Sequence, residues 1–379
     1  MKKKLSVIGI ALFLAVLLSM PAMAASVCKI GSKGYPSLQA AVDAVKDGQT
    51  IKVTKAIKAT SRVELPQRGL KYTIDFVKKK YMYTGDDYAF GISPGNSITV
   101  KNLNLKGSKM FAVGGNLTIS SGKATCEQLA WTDGNTKSKL TIKGGTYTHS
   151  DALDLVYINN NGTLTIAKGT FKKGSMANFG KMTISGGSFH GGGANAIIAN
   201  SGTLTISDGK FETGAETARC VNNNKTLTIK GGTFTAKDAV INVNEKTTAT
   251  ITGGVFARSS APSLLVRGTC KVKGGTFGGT IVAEGGKVSI TGGNSSGTVN
   301  CQDDGKVTIS RFTIDQGATP HVLTPLGLYS PCLVNHGGTF LVKGGSYISP
   351  NGYGYHGNIT FKVSGDYKKL FAVKTLIQN

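Results

Sequence analysis

The chain has 379 residues and carries 44 Lys and Arg against 20 Asp and Glu, a formal net charge of +24, with 52 glycines and a single tryptophan. Such a surplus of cations favours polyanionic partners and speeds their encounter, but the aromatics fall on core positions rather than among the basic residues, so no nucleic-acid module is expected and no specific nucleic acid is a partner. His149, His190, His321, His336 and His356 are scattered, and neither they nor the six cysteines have the spacing of metal ligands.

Residues 1–24 read as a secretory signal. Lys2, Lys3 and Lys4 precede an apolar run from Leu5 to Met20, and Pro21 leads into the A-x-A site Ala22-Met23-Ala24. The run is short for a membrane anchor, so an exported protein with no span after cleavage is expected, extracellular or held at the cell surface. A lipoprotein would need a small residue before Cys28, where Val27 stands. Residues 25–56 read as a cap. Ser37 starts a helix that places Leu38, Ala41, Val42 and Val45 on one face, Gly48 stops it, and a strand follows from Thr50 to Thr54. A helix at that point suits a lid over the open end of a stacked structure. Residues 57–137 read as irregular coils with strands near Tyr72–Phe76, Ile98–Val100 and Leu117–Ile119.

From Leu140 one phrase recurs: LTIKGGTY, LTIAKGTF, MTISGGSF, LTISDGKF, LTIKGGTF, ATITGGVF, CKVKGGTF, VSITGGNS from Val288 and, after a gap, FLVKGGSY from Phe340. A period of roughly 21 residues with β-branched residues and no helical stretch predicts a β-solenoid. Three apolar columns emerge on alignment. One pairs Leu140 with Ile142, Leu164 with Ile166, and so on, with a polar residue, most often Thr, between them. A second holds Tyr147, Phe171, Phe189, Phe211, Phe234, Phe256 and Phe277, breaks at Ser295, and resumes with Ile314 and Tyr347. The third holds Ile158, Met176, Ile198, Val221, Val243, Leu264, Val282, Cys301 and Val334. Three columns imply three parallel sheets around one interior. Gly145 and its equivalents mark one corner. Asn160, Asn178, Asn200 and Asn223, with Asp303 further on, mark another, where side chains can bond along the stack. Successive repeats differ by 18 to 24 residues, and the alignment assigns all of that variation to the remaining corner, the expected binding side. After Ile314 the pattern slips through Pro320, Pro325 and Pro331, returns at Phe340, and ends in closing strands between Asn358 and Ile377. Coils thus occupy residues 57–347 and a closing segment 348–379. No linker divides them, and a dozen coils about 4.8 Å apart make a rod of about 60 Å.

The glycine corner, the aromatic column and the asparagine corner resemble the right-handed parallel β-helix of the pectate-lyase-like superfamily, and within it the adhesive, non-catalytic branch of secreted Firmicutes proteins. The run YTIDFVKKKYMYTG resembles that branch too, and the resemblance covers about Tyr35 to Tyr347. It implies the fold; the architecture hosts lyases, hydrolases, esterases and plain adhesins alike. Lyases resembling this family use a Lys or Arg base with acidic residues for calcium, and its hydrolases use clustered aspartates. The candidate pair here is Asp151 with Asp154, for which turn formation is the competing explanation. Asp303 with Asp304 and Asp86 with Asp87 read as turn residues. Arg219, Arg258 and Arg267 lie near the variable corner and could clamp a carboxylate or sulfate, and Trp131 could stack on a sugar ring. Cys270 occupies an apolar column as a small buried residue. Cys301 and Cys332, in neighbouring coils, are candidates for a disulfide, with a reduced, buried pair as the alternative.

The expectation is therefore a secreted, non-enzymatic β-helix without a cofactor that binds an anionic polysaccharide, host glycan or cell-wall polymer. The alternative is a lyase or glycoside hydrolase acting on acidic polysaccharide, with calcium relevant only there. A spacer rod without a ligand is the third reading, and the oligomeric state is left open.

Overall fold

A computed structural model describes residues 26–135, 137–150, 156–191, 196–215, 218–257, 261–316, 331–349, 354–363 and 365–373. The chain is a parallel β-solenoid of about 13 turns. Each coil contributes a strand to each of three walls. We name these walls after the residues that define them: asparagine, threonine and aromatic.

The threonine wall contains Lys71–Asp75, Ser97–Lys101, Asn116–Ile119, Lys139–Ile142 and the LTI strands that follow. Its inward residues form an unbroken pair of files: Leu140 meets Leu164, Ile142 meets Ile166, and each is fully buried. Alternation explains this, since residues two apart share a face. The aromatic wall holds Thr146–His149 and its successors, and here the side chains stack as rings. Phe171 and Phe189 lie 5.0 Å apart and 1° from parallel, Phe189 and Phe211 4.6 Å apart, and Phe211 and Phe234 4.8 Å apart. These spacings equal the distance between hydrogen-bonded strands, so the rings are locked in step with the backbone. At Ser295 the file breaks as expected. Phe312 from the next coil partly fills the gap, 6.4 Å from Phe277, and the Ser295 hydroxyl donates to the Phe277 carbonyl at 3.1 Å.

The asparagine wall contains Val156–Asn160, Ser175–Asn178, Ala196–Asn200 and Arg219–Asn223. Its corner residues form a buried ladder. Asn160 donates to Asn178, Asn178 to Asn200 and Asn200 to Asn223, each through Nδ2 to Oδ1 at 2.7 Å. The second Nδ2 hydrogen satisfies a corner carbonyl of the next coil, as from Asn200 to Thr226 at 2.9 Å. Every amide in this run is saturated, as a buried polar group must be. Asn200→Val removes two donated bonds and leaves one Nδ2 hydrogen of Asn178 without its acceptor. An expected loss of about 2–4 kcal/mol follows from leaving buried groups unpaired, read as a fall in the urea midpoint.

Beyond Asn223 two expectations fail. The inward column continues through Ile241, Leu264, Ile281, Val299 and Leu333, not through Val243, Val282, Cys301 and Val334. Val243, Val266, Ala283 and Cys301 instead take over the ladder file, in register with Asn223. The cause is the corner itself. Asn200 is followed three residues later by the next strand at Thr203, whereas Val243 is followed by a turn through Asn244 to Thr247 with Lys246 at φ 58°. This corner also varies in length, so variation is not confined to one edge. Asp303 and Asp304 do not extend the ladder; both are exposed with φ of 52° and 59° in a register shift between Gln302 and Gly305.

The helix Leu38–Ala44 buries Leu38, Ala41 and Val42, and the Ser37 hydroxyl caps it by accepting from the Ala40 N–H at 3.0 Å. It ends at Val45 rather than at Gly48. Gln39 exchanges hydrogen bonds with the backbone of Glu64, which fastens the helix to the first coils. At the other end, strands Ile359–Phe361 and Phe371–Val373 pair with the last regular coil. Pro320 and Pro325 lie outside the described residues.

Of the two readings of Cys301 and Cys332, the structure has the reduced, buried one, because register separates the two thiols. Cys301 stands opposite Asn335, while Cys332 precedes Leu333, the partner of Val299. All six cysteines are free and buried, Cys270 in the apolar column between Ala249 and Val288. Burial pushes the thiols of Cys126, Cys220 and Cys270 up to about 12, so they carry almost no thiolate at neutral pH. A thiol reagent is expected to label none of the six in the native protein and all six in denaturant. Rapid native labelling would contradict this packing.

Candidate functional site: a lysine–threonine face

The outward side of the threonine wall carries the most distinctive surface of the molecule. Strand pairing aligns Thr50, Thr73, Thr99, Thr118, Thr141, Thr165, Thr183, Thr205, Thr228 and Thr250 in one continuous file, which Lys271, Ser289 and Thr308 extend. The cause is local: in x-Leu-Thr-Ile the aliphatics face in, so Thr faces out, and Thr is a good strand former. On either side of the hydroxyl file run lysines. Lys71, Lys139, Lys181, Lys287 and Lys306 stand two residues before the file position, and Lys52, Lys101, Lys143, Lys230, Lys273, Lys343 and Lys362 two residues after it.

The same three files hold one carboxylate, Asp75, and Lys101 lies 3.4 Å from it. Burial raises the Asp75 carboxyl, but the Asn102 amide, the Val77 N–H and Lys101 together outweigh it and hold the pKa below its ordinary value. Asp75 therefore stays ionised and neutralises one lysine. Among the described residues none of the other lysines of this face has a carboxylate partner within ion-pair distance. Lys287 and Lys306 are direct cross-strand neighbours, and Lys343 and Lys362 occupy adjacent coils at one file position. Like charges so placed repel by about 0.5–1 kcal/mol per pair in water. A bound polyanion would relieve that cost.

Along one margin of this face runs a trough floored by paired glycines. A Cβ on Gly253 would meet the Lys230 carbonyl at 2.4 Å, and Gly254 has φ of 107°, so neither position accepts a side chain. The resulting groove encloses about 500 Å³ over Gly231, Gly253 and Gly275, with Thr233, Val255 and Thr276 as its wall. Lys230 and Lys273 sit at its rim, next in chain to the glycine pairs. Among the described residues its one carboxylate is Asp208, which accepts the Gly209 N–H at 2.8 Å.

The residues singled out from sequence that the structure describes lie elsewhere. Asp151, Asp154 and Arg258 fall outside the described residues. Arg219 forms a 2.7 Å ion pair with Asp238, and Arg267 a 2.5 Å pair with Glu284 while touching Asn242. Both guanidinium charges are already answered, so neither is a free clamp. Trp131 is half-buried in the outward file of the asparagine wall, between Ala112 and Asn159, in a coil remote from Arg219 and Arg267. Asp87 is bound by Arg62 at 2.8 Å, which lowers its pKa. Among the described residues no cluster of three or more His, Cys, Asp or Glu could hold a metal ion, and no helix is long and apolar enough to cross a membrane. The lysine files were visible in the repeat as the residue before each Leu and the residue after each Ile, a signal that a single Thr-centred reading passes over.

Fold and site together define a parallel β-solenoid with a basic, hydroxyl-lined face. No family model, no curated protein and no solved structure matches the chain.

Proposed function

We propose that this is an exported, non-enzymatic rod that binds anionic polysaccharide, as a host glycan or a cell-wall polymer, through its lysine–threonine face. One observation carries the reading: two rows of lysines, nearly all without a carboxylate partner among the described residues, flank a continuous hydroxyl file. Lysine suits a repeating polyanion because it acts as a mobile point charge, and threonine hydroxyls donate to and accept from sugar oxygens. Coil spacing is close to the length of one sugar residue, so an extended chain lying along the rod meets a hydroxyl of the threonine file at each coil from Thr50 to Thr250, with lysines at intervals on both sides. The resemblance to the adhesive branch of the pectate-lyase-like superfamily points the same way. Hydrolysis of a glycoside calls for two carboxyl groups flanking the bond, and among the described residues the groove is lined by one, Asp208.

The test is binding of the mature protein to immobilised heparin and polygalacturonate. Retention is expected to fall steeply as salt rises, with no new reducing or unsaturated ends in the polymer. Salt-independent retention would remove the electrostatic basis of the proposal, and new ends would move the protein to the lyase or hydrolase class.

A further inference from the structure

On the asparagine wall, around the corner from the lysines, Phe179 is 54% exposed. The backbone fixes its surroundings. Phe179 N–H donates to Asn160, Ser201 N–H to Asn178 and Asn224 N–H to Asn200, so Asn161, Phe179, Ser201 and Asn224 form one outward file. Beside it the file of Asn159, Ala177, Ala199 and Asn222 continues the same surface. Ala199 and Ser201 leave a shallow floor next to the ring, and no charged residue occupies either file in these coils. Lys181, two residues on from Phe179, belongs to the threonine wall.

The amides on both sides of the ring are oriented alike. Asn159 Oδ1 accepts from Asn161 at 3.1 Å, Asn222 Oδ1 accepts from Asn242 at 2.8 Å and from Asn244 at 2.9 Å, and Asn224 Oδ1 accepts from Asn244. Each oxygen is occupied, while the Nδ2 groups of Asn159, Asn222 and Asn224 have no acceptor among the described residues. An exposed aromatic ring flanked by uncharged donors matches a ligand with one apolar face and a rim of acceptor oxygens.

We propose that Phe179 is the platform of a neutral oligosaccharide subsite, on which the C–H face of one pyranose ring stacks while the amides of Asn159, one coil before it, and of Asn222 and Asn224, two coils after it, donate to the oxygens of that sugar and its neighbours along the chain. The subsite is separate from the lysine–threonine face and does not depend on the reading of that face.

Titration of the full mature chain with cellohexaose, xylohexaose and mannohexaose tests it. At least one is expected to bind with an affinity that changes less than about twofold between about 0.1 and 0.5 M salt. Phe179→Ala should weaken that binding about tenfold or more, Phe179→Trp should keep it, and replacing lysines of the threonine wall should leave it unchanged. Thermal melting of both Phe179 variants checks that the fold is intact; the side chain points to solvent, so little change is expected. The proposal is overturned if none of the three sugars binds, if Phe179→Ala binds as tightly as the parent, or if its sole effect is to dissociate an oligomer, which would make Phe179 a contact between copies.

Discussion

Phe211→Ala is expected to lose about 3–5 kcal/mol of stability, the range for truncating a fully buried aromatic. The ring has parallel neighbours on both sides, Phe189 at 4.6 Å and Phe234 at 4.8 Å. Neither can move in to fill the void, because the ladders on all three walls hold the coils at fixed spacing. Solenoid stability is a sum of coil and interface terms, so the damage should be concentrated locally. Hydrogen exchange should accelerate most in Lys210–Thr213 and in the strands Ser188–Gly191 and Thr233–Thr235 that bracket the ring, and denaturant melting should start earlier. A loss below about 1 kcal/mol, in the range of an ordinary surface substitution, would show that the rings are not packed as a column. The break at Ser295 is consistent with this cost: the chain tolerates a small residue there only with Phe312 leaning in and the hydroxyl bonded to the Phe277 carbonyl.

Replacing Lys271, Lys273, Lys287 and Lys306 by Ser should nearly abolish binding to heparin. At about 1 kcal/mol for each lysine near an anionic surface, four together are worth about 4 kcal/mol, or roughly a thousandfold. The slope of log affinity against log salt should fall by about 3–4, close to one for each lysine replaced. Lys58, Lys106, Lys123 and Lys172 lie on the aromatic wall; replacing them changes net charge equally and should leave most of the affinity in place. Equal losses in the two variants would mean that net charge alone drives binding.

Much of the fold was legible in the residues, and the reason is periodicity. Leu140 with Ile142 and Phe171 with Phe189 recur at fixed offsets, and side-chain alternation turns an offset into a face. The ladder of Asn160, Asn178, Asn200 and Asn223 was legible for the same cause. Legibility failed where a corner changed length. The turn from Asn244 to Thr247 shifted the next strand, so Val243 entered the ladder file and Ile241 the core file; both are aliphatic, and neither composition nor spacing tells them apart. The disulfide expectation failed through the same slip, since it placed Cys301 on the wrong file. Arg219 and Arg267 looked available because their partners, Asp238 and Glu284, come from the following coil and are invisible to local reading. The lysine files were plain in the sequence, but only the register turned scattered lysines into one surface.

Lysine acetylation footprinting with heparin bound tests the central claim most directly. Mass spectrometry reads every lysine of the native protein at once, without substitution. Protection is predicted at Lys181, Lys230, Lys271, Lys273, Lys287 and Lys306, with Lys58, Lys106, Lys123 and Lys172 labelled as fast as in the free protein. Protection spread evenly over both sets, or confined to the second, would contradict the assignment of the threonine wall as the binding face.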